Sequence, residues 1–136
     1  MDLKLKSFLE KNDIEYVLFE HPYVYTCEEA EKHCSHIEGR SCKNLFLKQK
    51  KKDNYFLLSM PADKKLDMRV LKDVVGINNL SFGKPEELKD VLELEPGSVS
   101  PFGLVNDKDN KVKFFIDKEL CESDLVTFHP NVNNET

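Results

Sequence analysis

The sequence has no tryptophan, no internal repeat, no low-complexity tract and no apolar run near the roughly 20 residues that a membrane-spanning helix needs. Its charged start, MDLKLKSFLEKND, lacks the apolar core of a secretory signal. A cytoplasmic chain with no membrane partner is therefore expected. Positive charge is short as well: 20 Lys and Arg stand against 25 Asp and Glu, for a net charge of -5. A protein that coats nucleic acid non-specifically relies on a broad positive field, so that class is disfavoured, although a local contact is not. Paired carboxylates, a Cys/His dyad and a phosphate-cradling glycine loop are all missing, which removes the commoner hydrolase and kinase mechanisms.

Cysteine is sparse. Cys27, Cys34, Cys42 and Cys121 include no C-x-x-C pair, and a chain of 136 residues needs no disulfide staple, so reduced thiols are expected. His33-Cys34-Ser35-His36, with Cys27 and Cys42 nearby, has metal-ligand residue types but no second half of a metal motif. Neither a metal nor a cofactor is expected.

What is present is ordinary for a globular domain: 40% apolar and 33% charged residues, with one domain expected over 1–136. Leu5, Phe8 and Leu9 have helical spacing, ending near Asn12-Asp13. Ile14 to His21 alternates as a strand would, up to Pro22. Thr26-Cys27-Glu28-Glu29 is a capping box that opens a helix to about His33, poorly amphipathic and expected to be mobile. Residues 42–49 and 54–60 are the strongest strand candidates, joined by a lysine-rich hairpin loop. Asp67 caps a helix bearing Val70, Leu71, Val74 and Val75 that stops at Gly76. A short strand over 79–82, a helix starting at Lys84-Pro85-Glu86-Glu87 with Leu88, Val91 and Leu92 inward, and strands over 112–116 and 125–128 complete the chain. Without regular βαβ spacing, this order predicts an α+β fold with a mixed, curved, barrel-like sheet flanked by helices.

Alternation along 42–48 puts Lys43, Leu45 and Leu47 on one face and Cys42, Asn44 and Phe46 on the other. Lys43 is either a lysine snorkelling from a sheet edge or an ammonium held for a ligand. Asn44 fits a structural amide bridge between strands. Gly97-Ser98-Val99-Ser100-Pro101 is either a plain turn or a loop whose glycine lets backbone amides approach a carbonyl oxygen. Neither serine has a Ser/His/Asp signature around it. His129, in Phe128-His129-Pro130-Asn131, either bonds a turn carbonyl or serves a site. The basic groups Lys48, Lys50, Lys51, Lys52 and Lys64, Lys65, Arg69, Lys72 are either solvated surface or nucleic-acid contacts.

CKNLFLK, PGSVSPFGLVND and TFHPNVNNET, in this order, resemble the YbaK/ProX family of aminoacyl-tRNA editing domains along nearly the whole chain. The KNLFL and GSVSPFGL forms are more similar to the branch acting on alanyl-tRNA(Pro) than to the one acting on cysteinyl-tRNA(Pro). The resemblance implies hydrolysis of the ester between a wrong amino acid and the terminal adenosine of tRNA(Pro), in cis or in trans to a prolyl-tRNA synthetase. The alternatives are a cysteinyl-tRNA(Pro) deacylase and a non-catalytic tRNA-binding module. Carried over by position, Lys43, Gly97 and Ser98 act in catalysis, while Asn44, Val99, Ser100, Pro101, His129 and Thr26 bind substrate. Family members continue past the FHPN segment into another strand and a terminal helix, so the chain reads as truncated, cut from a larger synthetase, or lacking that cover. Ser100 stands where threonine is commoner in the family, a change that keeps the hydroxyl.

Overall fold

The computed structural model describes the backbone of residues 1–136 and every side chain except that of Cys27. Its centre is a hairpin of β1 (Arg40–Gln49) and β2 (Tyr55–Pro61), antiparallel in a register that opposes Lys43 to Met60 and Asn44 to Ser59. β3 (Leu80–Phe82) adds antiparallel to the far end of β1, and β4 (Val112–Ile116) adds parallel to β2. The sheet order is β3-β1-β2-β4, with the two-residue β5 (Val126–Thr127) parallel to the start of β1. The sheet is mixed, as expected, but open: its outer strands β3 and β4 do not meet.

Each face carries its own core. Leu47, Phe56, Leu71 and Leu80 pack on one side, under α3 (Met68–Val75). Phe46, Tyr55, Leu88, Leu92 and Leu94 pack on the other, under α4 (Pro85–Leu92). The expected helix signals operate: Asp67 accepts from the amides of Arg69 and Val70, Gly76 ends α3 at φ 80°, and Pro85 opens α4. Within α3, however, Leu71 is buried while Val70 and Val74 are 55% and 64% exposed, so the inward stripe runs through Met68, Leu71 and Val75.

The N-terminal helix α1 (Leu3–Lys11) buries Leu5 and Leu9 but leaves Phe8 exposed. The expected strand over 14–21 does not form; its only ladder contact is a bridge from Glu20 to Glu135. Its apolar residues fall on both sides, Tyr16 and Leu18 against Val17 and Phe19, so it has no one-sided face to lay on a sheet. It is clasped instead by the C-terminal residues: Phe19 and Thr136 exchange amide–carbonyl bonds of 2.8 and 2.9 Å, and His21 donates to Asn134 at 2.9 Å. α2 (Cys27–Cys34) follows its Thr26 cap, and none of its described side chains is fully buried. A 3-10 helix over Pro101–Asn106 and the four-residue α5 (Lys118–Cys121) carry no strong sequence signal and were not expected.

Candidate active site

β1 organises the site. On the face of Cys42 and Asn44 a cleft of about 530 Å³ opens, bounded by α2 at Glu28 and Cys34, by Arg40 and Asp63, by Thr127 of β5 and by His129 beyond it. Asn44 is held from two directions. Its Nδ2 donates to the Val99 carbonyl at 3.2 Å, and its Oδ1 accepts from the hydroxyl of Ser59, which is fully buried. One side chain thus ties β1 and β2 to the 97–101 loop at the edge of the cleft. Ser59 had no signal of its own in the sequence; the hairpin register alone puts it opposite Asn44.

The loop is built so that backbone is left available. Gly97 sits at φ 90°, and a Cβ there would lie 3.1 Å from Tyr25 Cδ1 and 3.3 Å from Asn133 Nδ2, so conformation and space both require glycine. The Ser98 amide is already used, donating to the Glu95 carbonyl at 3.0 Å. Buried Ser100 caps the 3-10 helix, its Oγ accepting from Phe102 at 3.2 Å, and Pro101 begins that helix. Val99 leans on the α4-side core. Among the described residues, the amides of Gly97, Val99 and Ser100 have no acceptor, but Ser100 is fully buried, so those of half-buried Gly97 and Val99 are the ones left for a substrate oxygen.

His129 lies in the cleft wall with its Nδ1 2.9 Å from the Glu135 carbonyl. A carbonyl only accepts, so Nδ1 carries the proton and Nε2 keeps its lone pair. Burial holds the His129 pKa below its ordinary value; the bond to Glu135 works against this, and the nearby His21, with ring centres 5.8 Å apart, works with it. His21 Nδ1 donates to the Pro22 carbonyl at 2.8 Å, and its Nε2 lies 2.7 Å from Thr136 Oγ1. The bonds from the C-terminal residues to both rings were not legible in the sequence, because only the fold brings 133–136 to 19–24.

Neither described thiol in the cleft is an activated nucleophile. Burial pushes the Cys42 thiol up to about 11, against the lowering effect of a bond to the Thr127 backbone and the charge of Arg40. Burial raises Cys34 too, against a bond from Thr136. Both thiols stay protonated near neutrality and are poor nucleophiles. No three His, Cys, Asp or Glu side chains converge among the described residues, and the Cys27 side chain lies outside them.

Lys43 is placed apart from the cleft wall. Alternation sends it to the face of Leu45 and Leu47. It is half-buried and, among the described residues, forms no ion pair, whereas Lys48 pairs with Glu87 and Lys64 with Asp117 at 2.9 Å. Between Ser41, where β5 ends, and Phe46, which bonds Gly83, the outer edge of β1 carries no strand, and Lys43 stands on that open stretch. Thr26 Oγ1 accepts from the Glu29 amide at 3.1 Å, but Glu29 reaches back to the Tyr25 amide and not to the cap itself.

The sequence model of the aminoacyl-tRNA editing domain matches residues 21–136. The chain is 39% identical over 128 residues to the prolyl-tRNA editing protein ProX of Acetoanaerobium sticklandii, covering 94% of this chain and 78% of that protein. It is 37% identical over 121 residues to the prolyl-tRNA synthetase associated domain-containing protein 1 of Mus musculus, covering 86% and 71%. A solved structure provisionally described as a trans-editing enzyme for prolyl tRNA synthetase superposes with a TM-score of 0.74 at 20% identity, over 99% of this chain and 85% of that one. At that identity the likeness shows the fold alone. These matches define the class of the protein as an aminoacyl-tRNA hydrolase. The chain belongs to the aminoacyl-tRNA editing domain family, as its three sequence motifs implied. Among the described residues no helix is long and apolar enough to cross a membrane.

Proposed function

We propose that this protein removes alanine from mischarged tRNA(Pro), acting at the acceptor end as a companion of prolyl-tRNA synthetase. The observation that carries the reading is a loop with unpaired, half-buried amides at Gly97 and Val99, pinned by Asn44, a residue of a cleft whose described thiols stay protonated. Such a site stabilises charge at a carbonyl oxygen but cannot attack, so the substrate supplies part of the mechanism. Water, activated by the 2'-hydroxyl of the terminal ribose, adds to the ester carbonyl. The oxyanion meets the loop amides; the bond to the ribose 3'-oxygen then breaks, and that oxygen takes up the proton. Lys43 reaches the developing charge around the open edge of β1, and neutral His129 offers Nε2 as an acceptor that orders the water or the 2'-hydroxyl. The 39% identity to a protein named for prolyl-tRNA editing supports the choice of tRNA. The KNLFL and GSVSPFGL forms support alanine, a side chain small enough for a second sieve that excludes proline.

Deacylation of alanyl-, cysteinyl- and prolyl-tRNA(Pro) by the purified protein tests this. Alanyl-tRNA(Pro) is expected to be hydrolysed and prolyl-tRNA(Pro) spared; an untouched alanyl ester sinks the reading, and preference for the cysteinyl ester moves it to the other branch. Lys43→Ala is expected to lower kcat by about a hundredfold, the scale for losing one electrostatic contact to an oxyanion.

A further inference from the structure

Tyr23 and Tyr25 are 60% and 65% exposed, while Val24 between them is 2% exposed. We propose that these two rings form a stacking platform for the unpaired bases at the 3' end of the RNA, an inference that rests on tRNA being the substrate. The alternation in exposure puts both rings on one outward side of an extended segment. That segment is fixed: the Val24 amide donates to the Asn133 carbonyl and Asn133 Nδ2 donates to the Val24 carbonyl, each at 3.1 Å. Tyr25 also backs Gly97, so the platform adjoins the loop proposed to hold the ester carbonyl. Side chains two residues apart in extended chain stand about 7 Å apart, twice the ~3.4 Å step of stacked bases, which leaves room for one base between two rings. Charge decides how the RNA end is held here. Glu28 and Glu29 occupy the first turn of α2, and Glu29 bonds the Tyr25 amide at 3.3 Å, so phosphate pairing is unfavourable beside the rings and base stacking is the available attraction.

Two measurements test the platform. In deacylation of mischarged tRNA(Pro), Tyr23→Ala and Tyr25→Ala are each expected to raise KM by about tenfold with kcat nearly unchanged, while Tyr25→Phe keeps the wild-type KM. In direct binding, uncharged acceptor-stem RNA ending in CCA is expected to bind the wild type more tightly than the same RNA lacking those three nucleotides, and a Tyr23→Ala/Tyr25→Ala double variant is expected to bind both alike, at low and at high salt. A double variant that still distinguishes the two RNAs as the wild type does overturns the proposal. So does a Tyr25→Ala loss confined to kcat with a lowered melting temperature, since that marks mere support of Gly97. The binding arm decides the platform even if the wild type hydrolyses no mischarged tRNA, an outcome that would defeat only the proposed reaction.

Discussion

Asn44 and Lys43 are neighbours in sequence and part company in the fold, and the difference is a matter of pleat. Asn44 faces the cleft and bonds Val99 and Ser59, so Asn44→Ala strands a carbonyl and a buried hydroxyl together. Leaving such groups unpaired costs about 1–3 kcal/mol each, and a lower melting temperature with reduced kcat is the expected outcome in thermal unfolding and deacylation. His129 sets a pH dependence. Its folded-state pKa is depressed, chiefly by burial, so the unfolded chain binds the proton more readily. The associated stability is fully present above the ordinary histidine value of 6.5 and is lost as pH falls through the lowered one. Melting temperature measured against pH should therefore decline on acidification through that window, and the decline should be shallower in His129→Gln. The tautomer behind it was not legible in the sequence, because the Glu135 carbonyl reaches the ring only through the turn at 130–134.

Elements with complete local signals were legible: α3 between Asp67 and Gly76, α4 from Pro85, and the β1–β2 hairpin all lie within a residue or two of expectation. Segments lacking such signals were not. The 3-10 helix follows from Ser100 and Pro101 only once Gly103 is pressed against Leu94, and 14–21 fails as a strand because neither side of it is consistently apolar. At this scale two substitutions are informative. Thr26→Ala removes the bond to the Glu29 amide at the start of α2 and should cost about 1 kcal/mol, with hydrogen exchange rising in α2 before the rest of the chain because that helix buries so little. Gly97→Ala forces a side chain into the left-handed region against Tyr25, at about 1–3 kcal/mol; it should lower kcat through displaced loop amides even at temperatures where the protein stays folded.

Over the whole molecule, the two ends of the chain close the site together. Residues 133–136 exchange four backbone hydrogen bonds with Phe19, His21 and Val24, and they hold the rings of His21 and His129. Deleting 133–136 should lower the melting temperature, expose Val24 and let the His129 pKa return toward its ordinary value, which histidine NMR titration would show. The sequence by itself determined the family, the hairpin and the two capped helices, because these depend on residue identity and on spacing within a few positions. It did not determine that Ser59 would orient Asn44, that the amides of Gly97, Val99 and Ser100 would go unpaired while that of Ser98 is spent, that Lys43 would stand on an open stretch of strand edge, or that the C-terminal residues would pin the segment of Tyr23 and Tyr25. Those are contacts between segments far apart in the chain, and only the tertiary structure fixes which donors and rings remain unused once every nearer partner has been taken.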